Sequence, residues 1–188
     1  MDNLLRKLPI GIQTFEKLRR GDYLYVDKTD FVWKIASTST PYFLSRPRRF
    51  GKSLLLSTFE AYFEGKRELF EGLAIAGMEK EWKRYPVLHL DLNAEKYDST
   101  RALTEILSRQ LTQWELKYGK GVDEETLAGR FSGVIRRASE QAGCGVVVLV
   151  DEYDKPLLQA LGDNALLDDY RKTLKAFYGV LKSSDRYL

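Results

Sequence analysis

Residues 41–56 have the sequence PYFLSRPRRFGKSLLL, in which a short apolar segment leads into a basic turn and then into Gly-Lys-Ser before an apolar run. This order predicts a strand, a phosphate-binding loop and a helix. In such a loop Gly51 lets the backbone approach a phosphate, Lys52 reaches the β- and γ-phosphates, and the Ser53 hydroxyl binds Mg²⁺. Free N–H groups at the start of the helix add positive potential where an anion would lie.

The match to the phosphate-loop pattern is incomplete. The pattern G-x-x-x-x-G-K-[ST] requires glycine at position 46, and this chain has Arg46 there. Pro47 also stiffens a loop that is usually flexible. Gly-Lys-Ser alone is weak evidence, because the alternative is an ordinary turn before an amphipathic helix. A second motif is needed to favour the nucleotide interpretation.

Residues 145–152, with the sequence GVVVLVDE, supply that second motif. The apolar run predicts a strand buried on both faces, and Asp151 and Glu152 follow at its carboxyl end. In a nucleotide site Asp151 would hold the Mg²⁺ shell through water, and Glu152 would orient the attacking water. The alternative is a buried strand that ends in two solvated acids. Because both motifs stand at the ends of predicted strands, we favour nucleotide binding.

Composition narrows the class of protein. The chain has 188 residues, 44% hydrophobic and 30% charged, which is enough for one globular domain with a sizeable core. A net charge of +3 is too small to argue for nucleic acid. The single cysteine, Cys144, excludes an intrachain disulfide, and the single histidine, His89, excludes a histidine-rich metal site. The sequence shows neither a signal peptide nor a membrane span, so we expect a cytoplasmic protein without membrane contact.

Strand and helix patterns alternate along the chain, which predicts an α/β fold with a mostly parallel sheet. The ligand site is expected at the carboxyl ends of the strands. The predicted strands are residues 23–26, 41–44, 86–92 and 145–150. The predicted helices are residues 12–20, 30–36, 52–64, 99–118, 123–141 and 165–181. The helix after Gly51 is so rich in leucine and aromatic residues that we expect it to be buried on most sides.

With these motifs the chain resembles the predicted AAA-ATPase-like family of prokaryotes. The resemblance rests on residues 26–29 (VDKT), 46–54 (RPRRFGKSL) and 150–156 (VDEYDKP), and it covers nearly the whole chain. It implies a P-loop ATPase core of the additional-strand type, a three-layer sandwich related to the archaeal ATPases and the STAND switch proteins. In that family an arginine in place of the first loop glycine is normal. The resemblance also implies a C-terminal nuclease-like domain of the PD-(D/E)XK type as a partner in the full-length protein.

Carried over position by position, the resemblance implies that Lys52 binds phosphate and takes part in catalysis, while Ser53 binds Mg²⁺. It implies that Asp151 is the second metal-binding residue and that Glu152 is catalytic. Asp27 falls in a segment that lies near the adenine in related ATPases, and the plain alternative is a helix cap. The full set of predicted nucleotide-binding residues is Asp27, Arg48, Arg49, Phe50, Gly51, Lys52, Ser53 and Leu54.

One departure concerns the end of the sequence. In the related ATPases a further strand, which carries a sensor residue, follows the helix after the second motif. Here we expect Tyr187 and Leu188 to begin that strand. We therefore expect one domain over residues 1–188, with a lead-in segment at 1–40 and a nucleotide-binding core at 41–188 that lacks the sensor strand. Either the two motif strands then pair directly, or a partner or a second copy of the chain fills the gap.

Three functions remain open from the sequence. The first is an ATP-binding domain that hydrolyses ATP with Mg²⁺ in its full-length context. The second is a module without enzymatic turnover, in which nucleotide controls binding to another protein or to a second copy. The third is a nucleic-acid-binding domain that uses Arg46, Arg48, Arg49 and Lys52 on phosphates. The third is least favoured, because no basic stripe with interleaved aromatic residues supports extended backbone contact.

Overall fold

A computed structural model of the protein describes residues 6–38, 40–47, 49–93 and 96–188. The chain divides between Arg84 and Tyr85 into two units, and each is described by itself. We call the part up to Arg84 unit 1 and the part from Tyr85 unit 2. The expectation of one P-loop-like domain over the whole chain stays a prediction.

Helices dominate the described part of unit 1. Its elements are α1 (Phe15–Arg20), α2 (Thr29–Ala36), α3 (Lys52–Phe63), a 3₁₀ turn at Arg67–Phe70 and α4 (Ala74–Met78). The core is aromatic: the rings of Phe15 and Phe70 are completely buried with their centroids 4.9 Å apart, and Tyr25 meets Phe15 edge-on at 5.3 Å. The Ser57 hydroxyl accepts a hydrogen bond from the Phe15 N–H at 2.7 Å, which ties the start of α1 to α3.

The two strands predicted in unit 1 are wrong. Residues 23–26 contribute a single isolated bridge between Lys7 and Tyr23, and residues 41–44 have no regular secondary structure. Phe43, in the second of these segments, is 69% exposed. Residues that favour β-structure form a strand only where another strand completes the hydrogen-bond ladder. The described residues of unit 1 give these two segments no such ladder.

Helix α3 confirms the helix predicted after Gly51, but not its degree of burial. The side chains of Leu54, Leu55 and Leu56 are only half-buried. The residues of α3 that are buried are Thr58, Phe59 and Ala61. The apolar first turns of this helix therefore stay accessible next to the basic loop that precedes them.

Unit 2 contains the sheet. Its elements are β1 (Val87–Asp91), α5 (Thr100–Tyr118), α6 (Leu127–Ala142), β2 (Val147–Asp151), α7 (Lys155–Gln159), α8 (Asn164–Ser183) and a 3₁₀ turn at Asp185–Tyr187. The two strands are parallel, and their register runs from Val87 opposite Val147 to Asp91 opposite Asp151. Two parallel strands linked through helices confirm the α/β class and the parallel sheet, which has two strands in the described residues.

The core of unit 2 lies between the sheet and the helices α5, α6 and α8. Alternate residues of β1, Leu88 and Leu90, are completely buried in it. The rings of Phe131 and Phe177, from α6 and α8, stack with centroids 4.5 Å apart and planes 2° from parallel. In the part of the chain that the structure describes, no helix is both long and apolar enough to cross a membrane.

The predicted start of the helix at 123–141 needs correction. Helix α6 begins at Leu127 rather than at Asp123, because the Thr126 hydroxyl caps it by accepting a hydrogen bond from the Gly129 N–H at 3.0 Å. Glu124 is therefore outside the helix, where its carboxylate binds the guanidinium of Arg137. The polar residues from Asp123 to Thr126 precede the helix and do not form its first turn.

The predicted burial of β2 on both faces is also wrong. Only Leu149 and Asp151 of this strand are buried, while the other three residues are half-buried. Tyr187 lies in a 3₁₀ turn rather than in a strand. Its carbonyl nevertheless accepts a hydrogen bond from the Val146 N–H at 2.7 Å, so the end of the described chain lies beside the start of β2.

Candidate functional site

The loop before α3 turns through two left-handed residues. Arg49 has φ 66°, and Gly51, which precedes the first residue of α3, has φ 74°. A side chain at Gly51 would meet no atom within 4 Å, so glycine is favoured there by its backbone conformation rather than by crowding. The open space leaves the backbone at the start of α3 accessible to a ligand.

The charge around this loop is positive. The Lys52 ammonium donates a hydrogen bond to the Arg46 carbonyl at 2.9 Å, and Arg46 and Arg49 are exposed. The first turn of α3 contains no acidic residue, and its N–H groups have no partner within the helix. Because the helix dipole adds positive potential at the same place, the arrangement suits an anion such as a phosphate.

The other residues predicted around the loop differ in accessibility. Phe50 is 64% exposed, while Ser53 and Leu54 in the first turn of α3 are half-buried. Arg48 lies outside the described residues. The structure thus groups Gly51, Lys52 and Ser53 at one helix start, where a hydroxyl, an ammonium and backbone N–H groups are neighbours.

Asp27 caps two helices at once. One carboxylate oxygen accepts hydrogen bonds from the N–H and hydroxyl of Thr29, at 2.8 and 2.7 Å, and the other accepts from the Ala74 N–H at 2.7 Å. Burial alone would raise the pKa of Asp27, but these hydrogen bonds outweigh it and hold the pKa below its ordinary value. Asp27 therefore acts as a helix cap, which was the alternative for it in the sequence, and its contact with adenine stays a prediction.

The end of β2 carries the two acids of the second motif. Asp151 is the last residue of the strand and is 6% exposed, and one of its carboxylate oxygens accepts a hydrogen bond from the Glu152 N–H at 2.9 Å. Glu152 has φ 50°, a left-handed conformation that is unusual for glutamate and costs roughly 1–3 kcal/mol. Surrounding contacts must therefore hold this turn in place.

A third acid, Asp91, lies beside these two and was missed from the sequence. It ends β1 in register with Asp151, and paired residues of a parallel ladder point to the same face of the sheet. One of its carboxylate oxygens accepts a hydrogen bond from the Asn93 N–H at 2.8 Å. The signal was available, since Asp91 ends a predicted strand as Asp151 does, but no known motif drew attention to it.

The structure therefore holds the predicted residues in two groups. Gly51, Lys52 and Ser53 lie in unit 1, and Asp151 and Glu152 lie in unit 2 with Asp91. Among the described residues, no group of three or more histidine, cysteine or acidic residues could hold a metal ion. Protein-bound Mg²⁺ commonly keeps several waters and uses only one or two protein oxygens, so a site of the predicted kind does not require such a group.

Comparison with known proteins defines the class. A family model described as "Predicted AAA-ATPase" matches residues 9–188, and the chain belongs to this family. The description supports an ATPase at a coarse level. A curated relative, the "Uncharacterized protein in vnfD 5'region" of Azotobacter chroococcum mcd 1, is 42% identical over 184 residues. The match covers 97% of this chain but 36% of that protein, so the chain spans only that part of the relative. No solved structure matches the chain.

Proposed function

We propose that the chain is an ATP-binding P-loop domain, which hydrolyses ATP to ADP and phosphate in its full-length protein. The observation that carries this proposal is the start of α3, where a left-handed Gly51 is followed by Lys52 and Ser53 in a first turn that contains no acidic residue. Membership of the predicted AAA-ATPase family supports it. The P-loop arrangement, in which this loop and the acids after β2 act on one nucleotide, is part of the proposal and rests on the motifs.

In this proposal the loop of unit 1 binds the phosphates. The Lys52 ammonium exchanges the Arg46 carbonyl for phosphate oxygens, a charge-assisted bond that is stronger than the one it replaces. Arg49 adds positive charge from the loop, and the N–H groups of the first turn of α3 donate hydrogen bonds to the anion. The sequence assigns Arg48 to the same task. These groups would offset charge that develops on the transferred phosphoryl group.

In the same proposal, the acids of unit 2 orient the attacking water and bind the metal ion. Glu152 orients the attacking water by accepting a hydrogen bond from it, so that the water is aligned with the bond that breaks. Asp151 and the Ser53 hydroxyl are the oxygens that would hold a hydrated Mg²⁺. When bound, Mg²⁺ would neutralise the β- and γ-phosphate oxygens. A carboxylate and a hydroxyl are oxygen ligands of the kind that Mg²⁺ prefers.

Titration calorimetry with ATP and Mg²⁺ on the full-length protein tests the proposal. The Lys52→Ala variant should lose binding, with an affinity at least about 100-fold lower, because a charge-assisted contact to the phosphates disappears. The fold should stay intact, since Lys52 is bonded only to an exposed loop carbonyl in the described structure. Lys80→Ala, at another exposed lysine of unit 1, is the matched control and should bind as the parent does.

Three outcomes separate the candidate functions. Steady-state phosphate release by the parent supports the enzyme. Binding of ATP without release supports a nucleotide-controlled interaction module. DNA binding that weakens with salt and needs no ATP supports the nucleic-acid alternative. Unchanged ATP affinity in Lys52→Ala would show that this loop is not the phosphate site.

A further inference from the structure

Lys155 connects the loops that follow the two strands of unit 2. Its ammonium donates hydrogen bonds to both oxygens of Asn93, the backbone carbonyl and the side-chain Oδ1, the latter at 2.9 Å. Asn93 follows the end of β1 by two residues, and Lys155 follows the end of β2 by four. One side chain therefore spans the carboxyl end of the sheet, where Asp91 and Asp151 lie side by side.

Two further hydrogen bonds hold the turn at Glu152 and helix α7. The Lys155 N–H donates to the Glu152 carbonyl at 3.0 Å, which closes the turn that carries Glu152. At the other end of α7, the Gln159 side chain accepts a hydrogen bond from the Tyr97 N–H at 3.0 Å. Helix α7 is thus tied at both ends to the segment between β1 and α5.

The position of Lys155 is unfavourable for a lysine on local grounds. It is the first residue of α7, and a positive charge at the start of a helix opposes the helix dipole. The two bonds to Asn93 compensate, because hydrogen bonds from a charged donor are stronger than neutral ones. Glu152, three residues earlier, has a left-handed backbone that its surroundings must maintain. Lys155 therefore lies beside the turn at Glu152, which needs a restraint from outside, although the helix dipole disfavours a lysine at this position.

We propose that Lys155 is a positioning residue, which holds the turn containing Glu152 at the carboxyl end of the sheet through its two bonds to Asn93. This inference rests on the proposed function, since it assigns to Lys155 the task of aiming Glu152 at the attacking water. Loss of the bonds lets the turn leave its left-handed conformation, so that Glu152 is misaimed while the phosphate-binding loop is unaffected. Catalysis should therefore fall without a comparable loss of nucleotide binding.

The test uses the full-length protein with three lysine variants. Lys155→Met keeps the aliphatic stem and removes the donors, whereas Lys155→Arg keeps a positively charged group with several N–H donors. Lys175→Met changes an exposed lysine of α8 and is the matched control. Two quantities are measured: amide hydrogen exchange of residues 152–158, and kcat and KM for ATP with Mg²⁺. Asn93→Ala removes one of the two acceptors and repeats the test if Lys155→Met does not fold.

In Lys155→Met we expect exchange in residues 152–158 to accelerate about tenfold, as the loss of a charged hydrogen bond predicts. We expect kcat to fall about tenfold or more with KM within about twofold of the parent, and Lys155→Arg to restore both quantities. Asn93→Ala should change them in the same direction, by less. Lys175→Met should match the parent.

Two results would overturn the inference. Unchanged exchange in Lys155→Met would show that the lysine does not hold the turn. Faster exchange with unchanged kcat, in a parent that hydrolyses ATP, would show that the restraint has no part in catalysis. A parent that releases no phosphate is a separate failure of the proposed function, and hydrogen exchange then decides alone whether Lys155 fixes the turn.

Discussion

The loop before α3 and the turn after β2 are held in different ways. In its described residues the loop depends on a left-handed glycine and on a bond from Lys52 to the Arg46 carbonyl, and Arg46 and Arg49 are exposed. The turn follows a paired strand, begins at the buried Asp151 and is restrained by Lys155. An open basic loop can adapt to an anion, whereas a restrained acid has one geometry. Changes in the loop should therefore alter binding, and changes around the turn should alter chemistry or stability.

The largest expected effect is at the acid of the restrained turn. Glu152→Gln should keep ATP binding but lower kcat roughly 100-fold or more in the full-length protein, because the amide keeps the shape and loses the carboxylate that polarises water. Phosphate release and titration calorimetry measure the two quantities. Glu140→Gln, an exposed glutamate near the end of α6, is the control. Turnover at the parent rate would remove Glu152 from the catalytic assignment.

The side chain of Glu124, before α6, occupies space that Gly121 and Gly133 leave free. Its carboxylate binds the Arg137 guanidinium, with one contact at 2.9 Å, and it also accepts a hydrogen bond from the Gly121 N–H at 3.2 Å. A methyl group on Gly133 of α6 would overlap this carboxylate. The Glu124 carboxylate can occupy its present position against Arg137 because residue 133 has no side chain.

Gly133→Ala should be less stable than Gly179→Ala by roughly 2 kcal/mol, because both variants gain the helix preference of alanine and only in the first must Glu124 move off Arg137. The matched control is Gly179→Ala in α8, where a Cβ meets nothing within 4 Å. That variant should be more stable than the parent by up to about 1 kcal/mol, because alanine favours helix. Urea unfolding followed by circular dichroism measures both. A similar change in the two variants would contradict the role given to Glu124.

The sequence predicted unit 2 better than unit 1, and the reason is physical. The apolar runs at 86–92 and 145–150 predict strands. They form strands because the two runs pair with each other in register. The equally β-favouring runs at 23–26 and 41–44 do not form strands, since propensity alone cannot supply a ladder. Long helices with one apolar face, such as α5, were predicted closely because their period reflects burial.

Only those residues of the candidate site that belong to a sequence motif could be predicted. Gly51 and Lys52 come from the pattern and stay a predicted phosphate site, and Gly51 has a left-handed backbone, which glycine adopts readily. Asp91 and Lys155 were missed because their importance comes from the register of two strands and from a bond to Asn93. Such relations join residues far apart in the chain, and neither spacing nor composition shows them.

Acid should weaken unit 2 through its buried ion pairs. Hydrogen bonds from Arg130, at 2.7 and 2.8 Å, lower the pKa of Glu115 below its ordinary value of 4.5, and burial only partly opposes them. Arg137 lowers the pKa of Glu124 in the same way. A carboxyl whose pKa is lower when folded contributes its full stability above the unfolded pKa, and this is lost as the pH falls through the folded pKa.

The free energy of unfolding should therefore decrease as the pH is lowered below about 4.5. Glu115→Gln should show a shallower decrease over that window, because glutamine does not titrate. Glu105→Gln, at an exposed glutamate of the same helix, should run parallel to the parent. Urea midpoints measured at several pH values give the three slopes. Equal slopes for the parent and Glu115→Gln would mean that this ion pair does not carry the acid sensitivity.

The smallest expected effect is at Asp27 in unit 1, where stability and binding can be separated. Asp27→Ala removes the acceptor for the Thr29 and Ala74 N–H groups, and unfolding should become easier by about 1 kcal/mol, the usual loss for the cap at Thr29 alone, because water can replace Asp27 at the exposed Ala74 N–H. Asp27→Asn keeps one acceptor oxygen and should lose less. If Asp27 acts only as a cap, both variants should bind ATP as tightly as the parent by calorimetry. If it also contacts the adenine, affinity should fall in both variants, and the fall in Asp27→Asn should exceed what its small loss of stability explains.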